Sequence, residues 1–571
     1  MIRFIARARR TASAFFPLLC LALAAPAQSH RAAPHPPAPE SRDQLVANLR
    51  THIHHVFVIY QENRSFDSYF GNFPGADNLA TAEARAHGFR QWDSIGNTWI
   101  SPFLLKAADT VDADHARDAL LAKSDHGKMD DFVGWEEKNL VLNSGASPQY
   151  ARQVGMLTMA HEDCTTVPFL WMYAHHFALY DHFFQAMYGP STPGNIDLIA
   201  GQTGQTQAAR HPNEAFKSLA TPGEPVVNDD EPDFGPYAFT YQAKSPKQLD
   251  QTYATLMLSL KGRDAGQVKV DTDDVKDDIG ALGRLNHQAI PWAWYQEGFG
   301  NGQGNNHPAY IPHHNSPQYF GYIRQNPAMW NGVHDLLDFF AVVNNRQLPA
   351  DSVVFVKGGQ LNPFGWKPAN PRSANILGDD DHPGYSDSQL SESLVAKVVD
   401  AIARSPYWKD SAIILTWDDS EGFYDHVPPP QFEACPDKNP CGDGPRVPLI
   451  LISPYAKSGG IVSDPGDHAS FAKFLEVLYN LPPLASLPDE KPYLPEGPRD
   501  TNPQLTDLIG GFDPARLSGR RPPIAASEAE IPDPIVNHFP PRMTCSQTGV
   551  TPVAIPGGSL TPPKDFTNPL P

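Results

Sequence analysis

Two short apolar runs, far apart in the chain, each stop at paired oxygen ligands. His55-Val56-Phe57-Val58-Ile59-Tyr60 leads into Gln61-Glu62-Asn63, and Ala412-Ile413-Ile414-Leu415-Thr416-Trp417 leads into Asp418-Asp419. β-Branched and aromatic residues in runs this short, cut off by polar residues, predict buried strands. In open α/β sheets, ligands bind just beyond the carboxyl ends of the strands. Two such ends brought together put three carboxylates and one amide, Glu62, Asn63, Asp418 and Asp419, around a single cation. Adjacent acids beside a core strand repel one another unless a cation or base lies between them. An all-oxygen set suits one hard divalent metal ion such as Ca, Mg or Mn.

Further strand-like runs follow at 289–295, 352–356 and 447–453. Between the last strands, Leu390, Leu394, Val395, Val398, Val399 and Ile402 recur at helical spacing, with Glu392, Lys397 and Asp400 on the face expected to be exposed. A second helix is expected from near Asp467, which is placed to cap it. Strand, helix, strand order predicts an α/β fold: a central, mostly parallel sheet flanked by helices. The polar, acidic stretch 205–285 reads as a loop-rich insertion or cap within a catalytic domain at 46–515, and 516–571 as a Pro-rich C-terminal extension.

The chain has 571 residues, 58 prolines and a formal charge of −20. Such a surface is poorly suited to nucleic-acid phosphates and offers no net attraction to anionic membranes. It leaves a phosphorylated substrate open, because a bound cation reverses the local sign. Residues 1–27 read as a signal peptide: Arg3, Arg7, Arg9 and Arg10, an apolar stretch from Phe15 to Ala25, and Ala25-Pro26-Ala27 for cleavage. The expected destination is periplasmic or secreted, by a Sec or, through Arg9-Arg10, a twin-arginine route. No later apolar stretch is long enough to cross a bilayer as a helix. Residues 28–45 read as a disordered leader. Of the cysteines beyond the signal, Cys435 and Cys441 flank a short polar loop and form the expected local disulfide. That leaves Cys164 with Cys545; free buried thiols are the alternative.

A hydroxyl at a helix start meets unpaired N–H groups that favour an alkoxide and a phosphate oxygen. Gly189-Pro190-Ser191-Thr192-Pro193-Gly194-Asn195 supplies one before Ile196-Asp197-Leu198, with Pro193 near the first helical position. His115 follows an acidic stretch, His313-His314 sits among aromatic residues, and His382 closes Asp379-Asp380-Asp381. Imidazole groups beside a poised serine and four oxygen ligands fit phosphoryl transfer.

These motifs resemble the bacterial phospholipase C and acid phosphatase phosphoesterases, whose fold is related to alkaline phosphatase. The resemblance rests on Gln61-Glu62-Asn63-Arg64-Ser65-Phe66-Asp67, Gly189-Pro190-Ser191-Thr192-Pro193, Gly422-Phe423-Tyr424-Asp425-His426-Val427-Pro428-Pro429-Pro430 and Asp467-His468-Ala469-Ser470. It implies metal ligation by Glu62, Asn63, Asp418 and Asp419, a Ser191 nucleophile, and phosphate contacts from His115, His382 and either His314 or His313. Asp425, His426 and His468 read first as structural support. The phospholipase branch carries a threonine in a GPT-x-PNR context. Ser191 and Ile196 depart from it toward the acid phosphatase branch. The expected substrate is therefore a phosphomonoester, with a phospholipid diester as the alternative.

Overall fold

In the computed structural model the described residues are 41–212, 225–229, 232, 250–270, 272–300, 307–435 and 438–570. The expected signal peptide, and parts of the expected leader and of the 205–285 segment, lie outside them.

The elements that build the site are α1 (Arg42–His52), β1 (His55–Gln61), β2 (Ala178–Tyr180), α2 (Ser191–Ala200), β3 (Trp292–Gln296), β4 (Val333–Asp335), β5 (Ser352–Lys357), α3 (Ser388–Ala403), β6 (Ser411–Trp417), β7 (Leu449–Ile452), β8 (Gly460–Val462) and α4 (Ala469–Tyr479). The eight strands form one sheet in the order β8-β2-β7-β6-β1-β5-β3-β4. All neighbours pair in parallel except β7, which is antiparallel to both β6 and β2. This is the helix-flanked, mostly parallel sheet expected from the strand and helix order. β1 and β6 sit side by side at its middle with every residue buried. Burial on both faces is why they read as unbroken apolar runs rather than alternating ones.

Three expectations are corrected. α1 begins at Arg42, inside the stretch read as a disordered leader, and its Leu49 is in the main core. Glu392 and Asp400 of α3 are buried, not exposed. Glu392 accepts the N–H groups of Phe169 and Leu170 at 2.8 and 3.3 Å, at the start of the helix Pro168–His176. Asp400 accepts Ile531 N–H from the tail at 2.8 Å. Each acid meets unpaired backbone donors that periodicity cannot foresee. Last, α4 starts near Asp467 as expected, at Ala469, but the residue in the cap position is His468 rather than Asp467, while Asp467 Oδ1 accepts Ala469 N–H at 2.9 Å.

The tail is largely irregular but packs into the body: Ile524, Ile531 and Val536 are buried in the main core. The two expected disulfides are present, Cys164–Cys545 and Cys435–Cys441. A second, smaller core gathers Phe89, Ile100, Phe103, Phe132, Val133 and Tyr424. Among the described residues no helix is long and apolar enough to cross a membrane.

Candidate active site

The register pairs Gln61 with Trp417, so β1 and β6 end at the same level. Asp418 N–H donates to the Gln61 carbonyl at 3.1 Å. Glu62, Asn63, Asp418 and Asp419 thus leave the sheet side by side, all fully buried. Asn63 turns the chain at φ 60°, a left-handed conformation that Asn tolerates better than most residues. Its N–H donates to Asp418 Oδ1 at 3.1 Å, and its amide NH2 to Glu421 Oε2 at 2.8 Å and His115 Nε2 at 3.2 Å. Glu421 Oε1 takes the Ala113 N–H at 2.6 Å, and Glu421 N–H donates to Asp419 Oδ1 at 2.6 Å.

Ser191 is the first residue of α2, and its hydroxyl donates to Glu62 Oε2 at 2.8 Å with Asp419 Oδ2 at 3.3 Å. The helix comes this close because residue 194 is glycine: a Cβ there would stand 2.5 Å from the Asp418 carbonyl oxygen. The helix starts earlier than expected, so Pro193 is its third residue rather than its first. A proline costs no hydrogen bond there, since the first four N–H groups of a helix have no partner within it. One turn on, the Asn195 amide donates to the Ser191 carbonyl at 2.9 Å and to Asp418 Oδ2 at 3.3 Å.

His314 Nδ1 lies 3.2 Å from Glu62 Oε1. Its ring is fully buried, and both nitrogens lack a hydrogen-bond partner. His313 is only half-buried, so of the adjacent pair His314 is the one at the site. Burial, then His313 and Lys357, hold the His314 pKa well below its ordinary value. The His382 ring lies 5.6 Å from that of His115 and donates Nδ1–H to the Pro383 carbonyl at 2.6 Å, which leaves Nε2 bare. Burial lowers its pKa to about 4. For His115, burial acts downward but Glu421, Asp419 and Asp112 outweigh it and push the pKa well up. A proton gained at Nε2 would face the Asn63 NH2 group. Charging His115 is therefore tied to turning that amide.

Two residues at the site were given no role from sequence. Lys357, the last residue of β5, bonds its ammonium to Glu62 Oε1 and lies 4.7 Å from the centre of the Tyr60 ring. It gets there because Ile59 pairs with Val356 across the sheet. Glu421 holds Asn63 by its side chain and Asp419 by its backbone. Asp425 and His426 point elsewhere: buried Arg446 donates to Asp425 Oδ1 at 2.8 Å and Asp67 Oδ1 at 3.1 Å, and His426 Nδ1 lies 2.7 Å from Asp67 Oδ2. His468 joins Trp417 C=O at 2.9 Å to Ala186 N–H at 3.3 Å, binding strand end to loop.

The donors fit a hard divalent cation. Asn63 Oδ1 is buried with no hydrogen-bond partner, its NH2 end being fixed elsewhere. Burial and then Asp418 push the pKa values of Glu62 and Asp419 well up, as expected where buried carboxylates outnumber cations. A cleft of about 390 Å³ lined by Asp112, Asp114, His115, Glu136, Pro190 and Asp229 reaches the site at His115 and at Pro190, the neighbour of Ser191.

Residues 53–482 match the model of the Phosphoesterase family. A non-hemolytic phospholipase C of Burkholderia pseudomallei is 24% identical over 474 residues, covering 78% of this chain and 58% of its own length. Phospholipase C B of Mycobacterium tuberculosis is 24% identical over 465 residues, covering 76% of this chain and 74% of its own. The chain thus spans little more than half the Burkholderia relative. A solved protein of the alkaline phosphatase superfamily from Vibrio parahaemolyticus covers 55% of this chain and 60% of its own, at 10% identity and a TM-score of 0.29.

Proposed function

The chain belongs to the Phosphoesterase family, and from that premise we propose that it hydrolyses phosphoric esters through a phosphoserine at Ser191. The observation that carries this is the Ser191 hydroxyl, buried at a helix start and directed at Glu62 and Asp419. Glu62, Asn63, Asp418 and Asp419 would hold one divalent metal ion, which when bound supplies a Lewis acid that acidifies the hydroxyl and neutralises phosphate oxygen charge. Ser191 passes its proton to Glu62 as Oγ bonds to phosphorus and the ester P–O bond breaks. The departing oxygen takes a proton from His382 or His314, whose lowered pKa values place the protonated form of either toward acidic pH. Water then attacks phosphorus, returning a proton to that histidine, and the Oγ–P bond breaks as Ser191 regains its own from Glu62. His382 suits the water step, because its Nε2 is bare and its ring neutral. His115 and the N–H groups at the start of α2 hold the phosphate oxygens.

The substrate we favour is a phosphomonoester, as for an acid phosphatase; Ser191 and Ile196, in place of the phospholipase branch's Thr and Arg, support it. A phospholipase C activity on diesters is the second reading. The acidic cleft favours it, since Asp112, Asp114, Glu136 and Asp229 attract a cationic headgroup, and the phospholipase C relatives align over most of this chain. The paired Cys164–Cys545 and Cys435–Cys441 suit the exported location proposed from the signal peptide read at 1–27. The test is turnover of p-nitrophenyl phosphate, p-nitrophenylphosphorylcholine and phosphatidylcholine over roughly pH 4 to 8. Preference for the choline esters reverses the order of the two readings. Ser191→Ala is expected to abolish all turnover, and full activity in that variant refutes the mechanism.

A further inference from the structure

The net charge of the chain argues against a lipid surface, yet one lobe departs from it. Among the described residues there are nine exposed large apolar side chains, and five of them, Trp92, Ile95, Trp99, Leu142 and Tyr150, fall between residues 92 and 150. Trp92 and Trp99 face each other across the two-stranded hairpin Gln91–Asp93/Thr98–Ile100, ring centres 5.3 Å apart, and are 40% and 55% exposed. Ile95 is at the hairpin tip, 38% exposed.

The hairpin is rigidly seated. Ser94 N–H and Oγ donate to Glu137 at 3.0 and 2.8 Å, on the helix Phe132–Leu142. Asp93 takes Arg152 at 2.6 Å from the helix Pro148–Leu157. Tyr150 lies two residues before Arg152 on the same helix and is 41% exposed. Glu136, next to the residue that anchors the tip, itself lines the cleft. The helix Phe132–Leu142 thus holds the hairpin at Glu137 and lines the cleft with Glu136, Asn139 and Leu140.

Beside the tryptophans is an open groove of about 820 Å³ whose charged lining residues are Arg85, Arg90 and one acid, Asp130. Both arginines are exposed, and among the described residues no ion pair involves either. Two exposed guanidiniums against one carboxylate, next to indole rings, complement lipid phosphates at the level where tryptophan settles in a bilayer interface. We propose that the 91–100 hairpin, with Arg85 and Arg90, docks the protein on a phospholipid surface with its catalytic cleft beside the bilayer. This goes beyond the hydrolase reading, and the patch would serve a monoester or a diester at that surface.

The test is co-sedimentation with phosphatidylcholine vesicles, with and without phosphatidylglycerol, alongside turnover of soluble p-nitrophenyl phosphate. Wild-type protein is expected to partition onto the vesicles. Trp92→Ala with Trp99→Ala should weaken partitioning on the order of tenfold or more, and soluble turnover should not change. Arg85→Glu with Arg90→Glu should weaken it most on vesicles with phosphatidylglycerol. Because these two changes touch only exposed side chains, they test the surface even where the tryptophan variant misfolds. Absence of wild-type partitioning, or equal partitioning by the variants, overturns the proposal. So does release of the protein by a soluble polysaccharide that binds the tryptophan pair. A wild type that partitions but turns over no soluble or lipid ester refutes the hydrolase reading and leaves the docking surface standing.

Discussion

Replacing Glu421 by Gln isolates one device at the site, the clamp on the Asn63 amide. The carboxylate accepts Ala113 N–H at 2.6 Å on one oxygen and the Asn63 NH2 at 2.8 Å on the other. A glutamine offers one oxygen and one NH2. The backbone N–H of Ala113 cannot turn away, so the glutamine oxygen must face it and the glutamine NH2 must face Asn63. Asn63 then rotates its oxygen toward residue 421 and presents NH2 to the carboxylates. The variant loses a charge-assisted hydrogen bond worth about 1.5–3 kcal/mol and the amide oxygen proposed as a metal ligand. Loss of such an orienting group weakens metal binding about 10–100-fold, or about 1.4–2.7 kcal/mol. Isothermal titration of metal-free protein with Ca, Mg and Mn measures this without turnover. Glu421 N–H still holds Asp419, so the fold and the Ser191 contacts should persist. An unchanged dissociation constant in a folded variant would mean that Asn63 does not need the clamp, or is not a ligand.

Other consequences follow from the same geometry. Lys357→Met removes the ammonium at Glu62; metal-free protein should lose about 3–5 kcal/mol of stability, and saturating cation should restore much of it, read by thermal melts with and without EDTA. For His426, burial acts downward but Asp67 and Asp77 raise the pKa to about 9. Its stabilisation, up to about 3 kcal/mol, is therefore full below about pH 6.5 and lost as pH rises through about 9. Melting temperature should fall over that window in wild type and stay flatter in His426→Gln. Cys164 and Cys545 are 381 residues apart and Cys435 and Cys441 only 6. On chain entropy the first bond is worth up to about 6 kcal/mol and the second about 2, so Cys545→Ser should lower the denaturation midpoint more than Cys441→Ser.

The parts of the site that were legible in the sequence are those that local pattern encodes. β1 and β6 announced themselves because strands buried on both faces are apolar throughout, and the acids that end them stood out against that background. Lys357 was hidden by the same rule: a lysine after four apolar residues reads as the end of a strand, and only the β1–β5 pairing shows that its ammonium reaches Glu62. Glu421 is one of several acids after β6, and its role depends on a backbone reversal at φ 56°. β2 and β8 are three residues each, too short for a period to register. Glu392 was misread because helical spacing reports which side of α3 is apolar, not whether another helix start lies against its polar side.

The central position of β1 has a consequence in time. Asn63 is 355 residues upstream of Asp418, the first acid of the other ligand pair. At roughly 5–20 residues per second, a ribosome needs on the order of twenty seconds to a minute to make that interval. For most of it β1 has no sheet neighbour, because its first partner, β5, begins only at Ser352, and half the candidate site is still unmade. The candidate site therefore cannot assemble until β6 has been made, however early its first half emerges.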